Sequence, residues 1–154
     1  MGLLYSSDPA IKAVAPFGAV EQIYTPDPIA CGIPTRGEPI LIDVSASGTT
    51  IGLSMRAIAA GEKLGGDWLI DADGNASNDP AILMADPPGA LLPLGGADRG
   101  HKGFGLGLMV EALTSGFGGF GRLQAPTHQG ASVFLQVLDP DAFGGGEAFL
   151  DETQ

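Results

Sequence analysis

His101-Lys102-Gly103-Phe104-Gly105-Leu106, the apolar run that continues from it to Ser115, and Gly116-Phe117-Gly118-Gly119-Phe120-Gly121 directly after it form the stretch whose reading decides the fold. The last six residues match G-x-G-x-x-G letter for letter. That pattern cradles a pyrophosphate only where it follows a strand and opens a helix, because the phosphates must meet free N–H groups at the helix N-terminus. Here it follows a helical pattern over 103–115, so it reads as a glycine-rich helix end. A doubly wound sheet thereby loses its signature loop. The run itself is apolar on almost every side, which predicts a buried helix.

Working outward, Gly2–Tyr5 reads as a short buried strand ended by Ser6-Ser7-Asp8-Pro9, and Ile29–Ile33 as a second, closed by Pro34. The turn Thr35-Arg36-Gly37-Glu38 leads into Pro39-Ile40-Leu41-Ile42-Asp43-Val44, the clearest strand of the chain. Thr49 or Thr50 caps a helix to about Lys63, with Ile51, Met55, Ile58 and Ala59 on one face and Gly61 near its stop. A polar excursion over 65–88 holds Trp68, and Ser132–Leu138 is a late strand before Asp139-Pro140. Strands and helices do not alternate, so the expected class is α+β: a mostly antiparallel or mixed sheet with buried helices.

Leu91-Leu92-Pro93-Leu94-Gly95-Gly96 precedes the decisive helix, and His101-Lys102 stands at its mouth. Unpaired N–H groups at a helix start favour an anion, and a lysine adds a mobile point charge. The same residues also fit a solvated lysine beside a glycine-rich cap. The other cations at Lys12, Arg36, Arg56, Lys63 and Arg122 fall in turns, in the first helix or past the end of the second, where a solvated charge is expected; Arg99 lies close to Lys102. Asp43 ends the strongest strand with Ser45 and Ser47 following; it could cap the next helix or line a ligand.

Composition narrows the partners. The chain has 154 residues, 44% hydrophobic and 16% charged, enough for one domain with a core. A formal charge of −11 with only 7 Lys and Arg argues against nucleic acid, which needs clustered cations. Cys31 is the sole cysteine, so neither an internal disulfide nor a cysteine-cluster metal site can form. Met1-Gly2-Leu3-Leu4 lacks the basic and long apolar regions of a signal peptide, and no stretch of 18 uninterrupted apolar residues exists; the expectation is a cytoplasmic protein without a membrane partner. Asp71-Ala72-Asp73-Gly74-Asn75 lacks the glycine and glutamate positions of a calcium loop and reads as an acidic turn. His128, in Pro126-Thr127-His128-Gln129, reads as a surface histidine. A serine hydrolase has no G-x-S-x-G elbow here.

Several motifs occur in one order: Pro16-Phe17-Gly18, Pro28-Ile29-Ala30, Ile42-Asp43-Val44-Ser45-Ala46-Ser47, Asp71 to Asn75, Pro93-Leu94-Gly95, then Lys102-Gly103-Phe104-Gly105-Leu106. Together they resemble the type 2 malate/L-lactate dehydrogenase family, from about Leu3 to Phe149. The resemblance implies a non-Rossmann NAD(P)-binding domain of an oxidoreductase that moves a hydride between nicotinamide and small 2-hydroxy or 2-oxo acids. It implies that Ile42, Asp43, Val44, Ser45 and Ser47 line the cofactor, NAD or NADP, that His101 and Lys102 contact it, and that the small polar turn containing Ser7 approaches it. No metal is implied, and the complete protein would be a homodimer.

The departures matter as much. By the resemblance, the proton-donating histidines and the substrate-clamping arginine precede residue 1, and a last cofactor-contacting segment follows Gln154. The chain is therefore expected to be a single cofactor-binding domain, 1–154, from the middle of a longer enzyme, with its catalytic residues unassigned. The alternatives are an inactive truncated remnant and a generic binding domain of the same fold. Pro26-Asp27-Pro28 stands where the family pattern reads T-N-P, placing a carboxyl where a neutral amide is usual.

Overall fold

The computed structural model describes Met1–Gln154. In chain order its elements are β1 (Gly2–Ser7), β2 (Pro28–Ile33), β3 (Ile40–Ser45), α1 (Ile51–Ala60), β4 (Leu69–Ile70), β5 (Ala76–Ser77), β6 (Ala90–Leu91), α2 (Gly96–Arg99), α3 (His101–Glu111), β7 (Ser132–Val137) and α4 (Gly146–Glu152). The main sheet runs β3-β2-β1-β7 and a small one runs β5-β4-β6. Every strand pairing in both sheets is antiparallel, as the α+β reading expects.

Register sorts the side chains of the main sheet. Tyr5 lies opposite Ile29 and Phe134, while Leu4 lies opposite Ala30 and Leu135. Since successive side chains point to opposite faces, Tyr5, Ser7, Val44 and Phe134 share one face, and Leu4, Asp43 and Leu135 share the other. The first face is covered by the chain that follows α3. Phe117 meets Phe134 edge-on at 6.1 Å, and the Ser7 hydroxyl bonds Thr114 Oγ1 at 2.7 Å and Ser115 Oγ at 3.1 Å. The second face is bare: Leu41, Leu135 and Val137 are 78%, 65% and 76% exposed. β1 is therefore only half-covered, not the buried strand expected, because one side of the sheet has no layer on it.

The core sits instead where the small sheet meets the loop before β2. Ala13, Val14, Tyr24, Leu64, Leu69 and Leu91 form it, with Trp68, Phe104 and Ile51 packed around. Backbone bonds Ala13 N–Tyr24 O and Leu91 N–Ala13 O, both 2.9 Å, tie these segments together.

α1 is capped by the Thr50 hydroxyl, which accepts from Leu53 N at 3.1 Å, and it ends at Gly61 with φ 68°. A left-handed residue there favours glycine, which lacks the Cβ that would clash. The helix thus stops short of Lys63. Its inward face is Ile51, Ser54, Ala57 and Ile58, while Met55 and Ala59 are exposed, which corrects the expected face.

α3 departs further from expectation. It begins at His101 rather than Gly103, ends at Glu111, and widens into a π-helical turn over Ala112–Gly116. The turn holds Thr114, whose hydroxyl donates to Val110 O at 2.7 Å. The helix is not buried all round. Gly103, Gly107 and Val110 face inward, and Leu108 and Met109 lie outward and exposed. Two glycines on the inner face let the helix backbone lie directly on its support, so its larger apolar residues point away. Gly116–Gly121 follows this helix, as expected, and opens no phosphate loop.

Candidate functional site

Three backbone hydrogen bonds assemble the site. Ala46, just past β3, donates to Pro26 O at 2.8 Å; Leu94 donates to Ala46 O at 2.8 Å; Gly103, in the first turn of α3, donates to Leu94 O at 3.1 Å. Ser47 also pairs with Pro93 in an isolated antiparallel bridge. The end of β3, the Pro93-Leu94-Gly95 segment and the head of α3 are therefore laced side by side. Residues as far apart in sequence as Ser45 and Lys102 come to the same edge of the molecule.

Glycine is obligatory at the centre of this junction. A Cβ on Gly103 would stand 2.2 Å from Leu94 N and 2.5 Å from Ala46 O. The K-G-x-G-L glycine thus serves close backbone packing. Its N–H is spent on Leu94, and Phe104 N is spent on Gly100 O at 2.8 Å. This corrects the expectation of a free helix start: those two donors are not available to an anion. The short α2 and Gly100, itself in helical conformation, run straight into α3 and occupy that end.

The side chains remain open. Lys102 and His101 are exposed, and the only ion pairs in the molecule belong to Arg36 and Arg122, which leaves Lys102 without a carboxylate partner. His101 meets Phe17 edge-on at 5.6 Å, which brings Pro16-Phe17-Gly18 into the same group. Ile42, Asp43 and Val44 lie on β3, exposed, with β3 the outer strand of the sheet and its far edge unpaired. Ser45 Oγ donates to Ser47 O at 3.0 Å, and buried Ser47 Oγ donates to Thr49 O at 2.6 Å, so this turn holds itself. Ser7 is buried at the same end of the sheet, its hydroxyl engaged with Thr114 and Ser115. Asp43 does not cap α1; Thr50 does.

A cleft of about 490 Å³ opens beside the junction, and its lining residues include Gly48, Trp68 and Leu94 and the acidic Asp67 and Asp98. Two carboxylates suit hydroxyl or amide donors and oppose phosphate at that spot. The apolar cavity of about 450 Å³ around Met1, Leu138, Phe143 and Phe149 lies away from every residue singled out above. The acidic turn forms as expected, with Asp71 Oδ1 accepting from Asp73 N and Asn75 N. These bonds hold the Asp71 carboxyl below the usual range, Asn75 N contributing most. His128 is exposed beside Thr127.

Arg122 is not the solvated charge its position suggested. Its guanidinium pairs with Glu111 at 2.5 Å and donates to Ile11 O at 2.8 Å. Sequence reading noted the Asp27 carboxyl but passed over the group it forms with Tyr24, Glu111 and Arg122. One signal was present: an aspartate flanked by two prolines in an otherwise apolar segment.

The model of the family described as malate/L-lactate dehydrogenase matches residues 1–154. A (2R)-3-sulfolactate dehydrogenase (NADP(+)) of Chromohalobacter salexigens is 38% identical over 95% of this chain and 44% of its own length. A malate dehydrogenase of Pyrococcus horikoshii is 34% identical over 90% of this chain and 40% of its own. Among solved structures, a delta1-piperideine-2-carboxylate reductase from Pseudomonas syringae superposes with a TM-score of 0.74 at 31% identity, covering 97% of this chain and 45% of that one. The chain spans less than half the length of these relatives.

Proposed function

This chain belongs to the malate/L-lactate dehydrogenase family, and from that premise we propose that it is the cofactor-binding domain of an NAD(P)-dependent oxidoreductase acting on small 2-hydroxy or 2-oxo acids. The observation that carries the reading is the lacing of β3's end to the head of α3 through Leu94. It sets an unpaired lysine, an open strand edge and two serines along one border.

The residues fit a dinucleotide in kind. Lys102 offers a mobile cation to a phosphate or ribose oxygen. The free edge of β3 at Ile42–Val44 offers main-chain donors and acceptors, which an amide-bearing ring can use. Ser45 and Ser47 shape the turn, Ser7 is held at the same end of the sheet by Thr114 and Ser115, and His101 is braced by Phe17. Gly103 serves by bringing α3 close, not by donating its N–H. When bound, the nicotinamide supplies or accepts the hydride, and protein groups orient and protonate. NAD and NADP both fit this description. The assembly proposed is a cytoplasmic homodimer; its bare sheet face is apolar enough to need a cover, and no helix of the chain is long and apolar enough to cross a membrane.

The test is a nicotinamide-fluorescence titration of the full-length protein with NADH and NADPH. Lys102→Ala should weaken binding by about 1.5–3 kcal/mol, the range for losing a hydrogen bond to a charged group, roughly ten- to 150-fold in Kd. Lys63→Ala is the control. Equal affinities for the two variants would remove Lys102 from the site, and binding of neither nucleotide to the parent protein would favour an inactive remnant.

A further inference from the structure

Asp27 is fully buried, with 0% of its surface exposed. Its backbone is held at φ 49°, the left-handed region that Asn and Asp tolerate better than most residues. Oδ1 accepts from Thr25 Oγ1, whereas Oδ2 meets no donor anywhere in the chain. The groups around it come from three segments. Tyr24 and Thr25 lead into β2, Glu111 ends α3, and Arg122 follows the π turn. The Tyr24 hydroxyl is likewise buried without a partner. On α3, Gly107 passes so close that a Cβ would stand 3.3 Å from Asp27 Oδ2. One turn further along the same helix, Glu111 brings a second carboxyl to this group, its charge raising the Asp27 carboxyl, and it is gripped by Arg122.

Two carboxyls therefore face each other in a site that holds one guanidinium. If both ionised, one buried charge would be uncompensated, a cost that proteins avoid by keeping a proton. A proton on Asp27 turns the unpartnered Oδ2 from an acceptor without a donor into a donor, with Glu111 as acceptor. We propose that Asp27 is protonated in the folded protein and donates to Glu111, so that the pair carries a single negative charge and latches the end of α3 to the chain entering β2. The latch does the work of an amide N–H at this position, where the sequence pattern described above has asparagine.

Burial first, then the Glu111 charge, pushes the Asp27 carboxyl up to about 7, against the pull of Thr25 and Arg122. Tyr24 is raised as well, by burial and then by Asp27, and stays neutral. A carboxyl raised in the folded state binds its proton where the unfolded chain has lost it. The stability it contributes is complete at acid pH, declines as pH rises from about 4 and is fully lost near 7.

The experiment follows the urea midpoint of the protein and its Asp27→Asn variant from pH 4 to 9, together with the ¹³C shift of the Asp27 carboxyl. Asparagine can donate to Glu111 at every pH. The variant should therefore match the parent near pH 4 and exceed it at pH 8, with the parent's folding linked to the uptake of about one more proton across pH 5–6. The ¹³C titration should fall near neutrality. Identical pH slopes, a less stable Asn variant at pH 8, or a ¹³C midpoint near 4 would each overturn the latch. Should the variant fail to fold, the ¹³C titration of the parent decides alone.

Discussion

Substituting Gly103 by alanine should be among the most damaging single-methyl additions in this chain. The new Cβ would stand 2.2 Å from Leu94 N, 2.5 Å from Ala46 O and 2.7 Å from Leu94 O. All three are backbone atoms, so no side chain can swing aside, and the head of α3 must retreat by about 1 Å to restore ordinary contact. Overpacking of this kind costs about 1–3 kcal/mol. The Gly103–Leu94 bond and its neighbour Leu94–Ala46 would stretch, at ~0.5–1.5 kcal/mol each. Alanine's helix preference returns about 1 kcal/mol. The expected net loss is about 1–5 kcal/mol, a fall in Tm of roughly 2–20 °C for a chain of this size. Gly105 is the internal control, because nothing lies within 4 Å of its Cβ position. Gly105→Ala should stabilise by about 0.5–1 kcal/mol, since only helix propensity changes there. Urea denaturation followed by circular dichroism measures both, and NADH titration of full-length Gly103→Ala should also show weakened binding as Lys102 shifts with the helix. Equal effects of the two alanines, or a Gly103→Ala protein as stable as its parent, would refute the close docking of α3 on Leu94.

The remaining expectations rest on other parts of the molecule. Arg122→Ala should lower stability by about 2–4 kcal/mol in urea melts, because it strands the half-buried Glu111 and frees the Ile11 carbonyl; Arg36→Ala, which breaks an exposed pair with Glu147 and Asp151, should leave the midpoint where it is. The Asp27 carboxyl, moved from 3.8 to about 7, should draw down stability by ~4 kcal/mol between pH 4 and pH 7, and Asp27→Asn should abolish that part of the pH profile. Replacing Leu41 and Leu135 together by lysine should suppress self-association of the chain in sedimentation experiments, since both lie on the uncovered apolar face of the main sheet; unchanged association would place the contact elsewhere.

Local order and local pairing were written in the chain itself. Short apolar runs flanked by turn residues gave β2, β3 and β7 nearly to the residue, Thr49 or Thr50 marked the start of α1 although the helix ends short of Lys63, and the lack of strand–helix alternation pointed away from a doubly wound sheet. These are short-range constraints, in which a residue's backbone preference or alternation acts on neighbours a few places away. The family resemblance proposed β3's end and His101-Lys102 as parts of one cofactor site, and the fold laces those two segments side by side through Leu94. Tertiary structure alone decided what each feature is for. Gly103 reads as a helix-start glycine until Leu94 and Ala46 are set against it, and α3 reads as buried until its inner face proves to be glycine and its leucine and methionine point outward. Arg122 reads as a surface charge until the chain returns Ile11 and Glu111 to it, and Asp27 reads as an ordinary turn carboxylate until the fold buries it and brings the Glu111 charge near it. Close approach and shared charge depend on distances between remote segments, and no local preference encodes a distance.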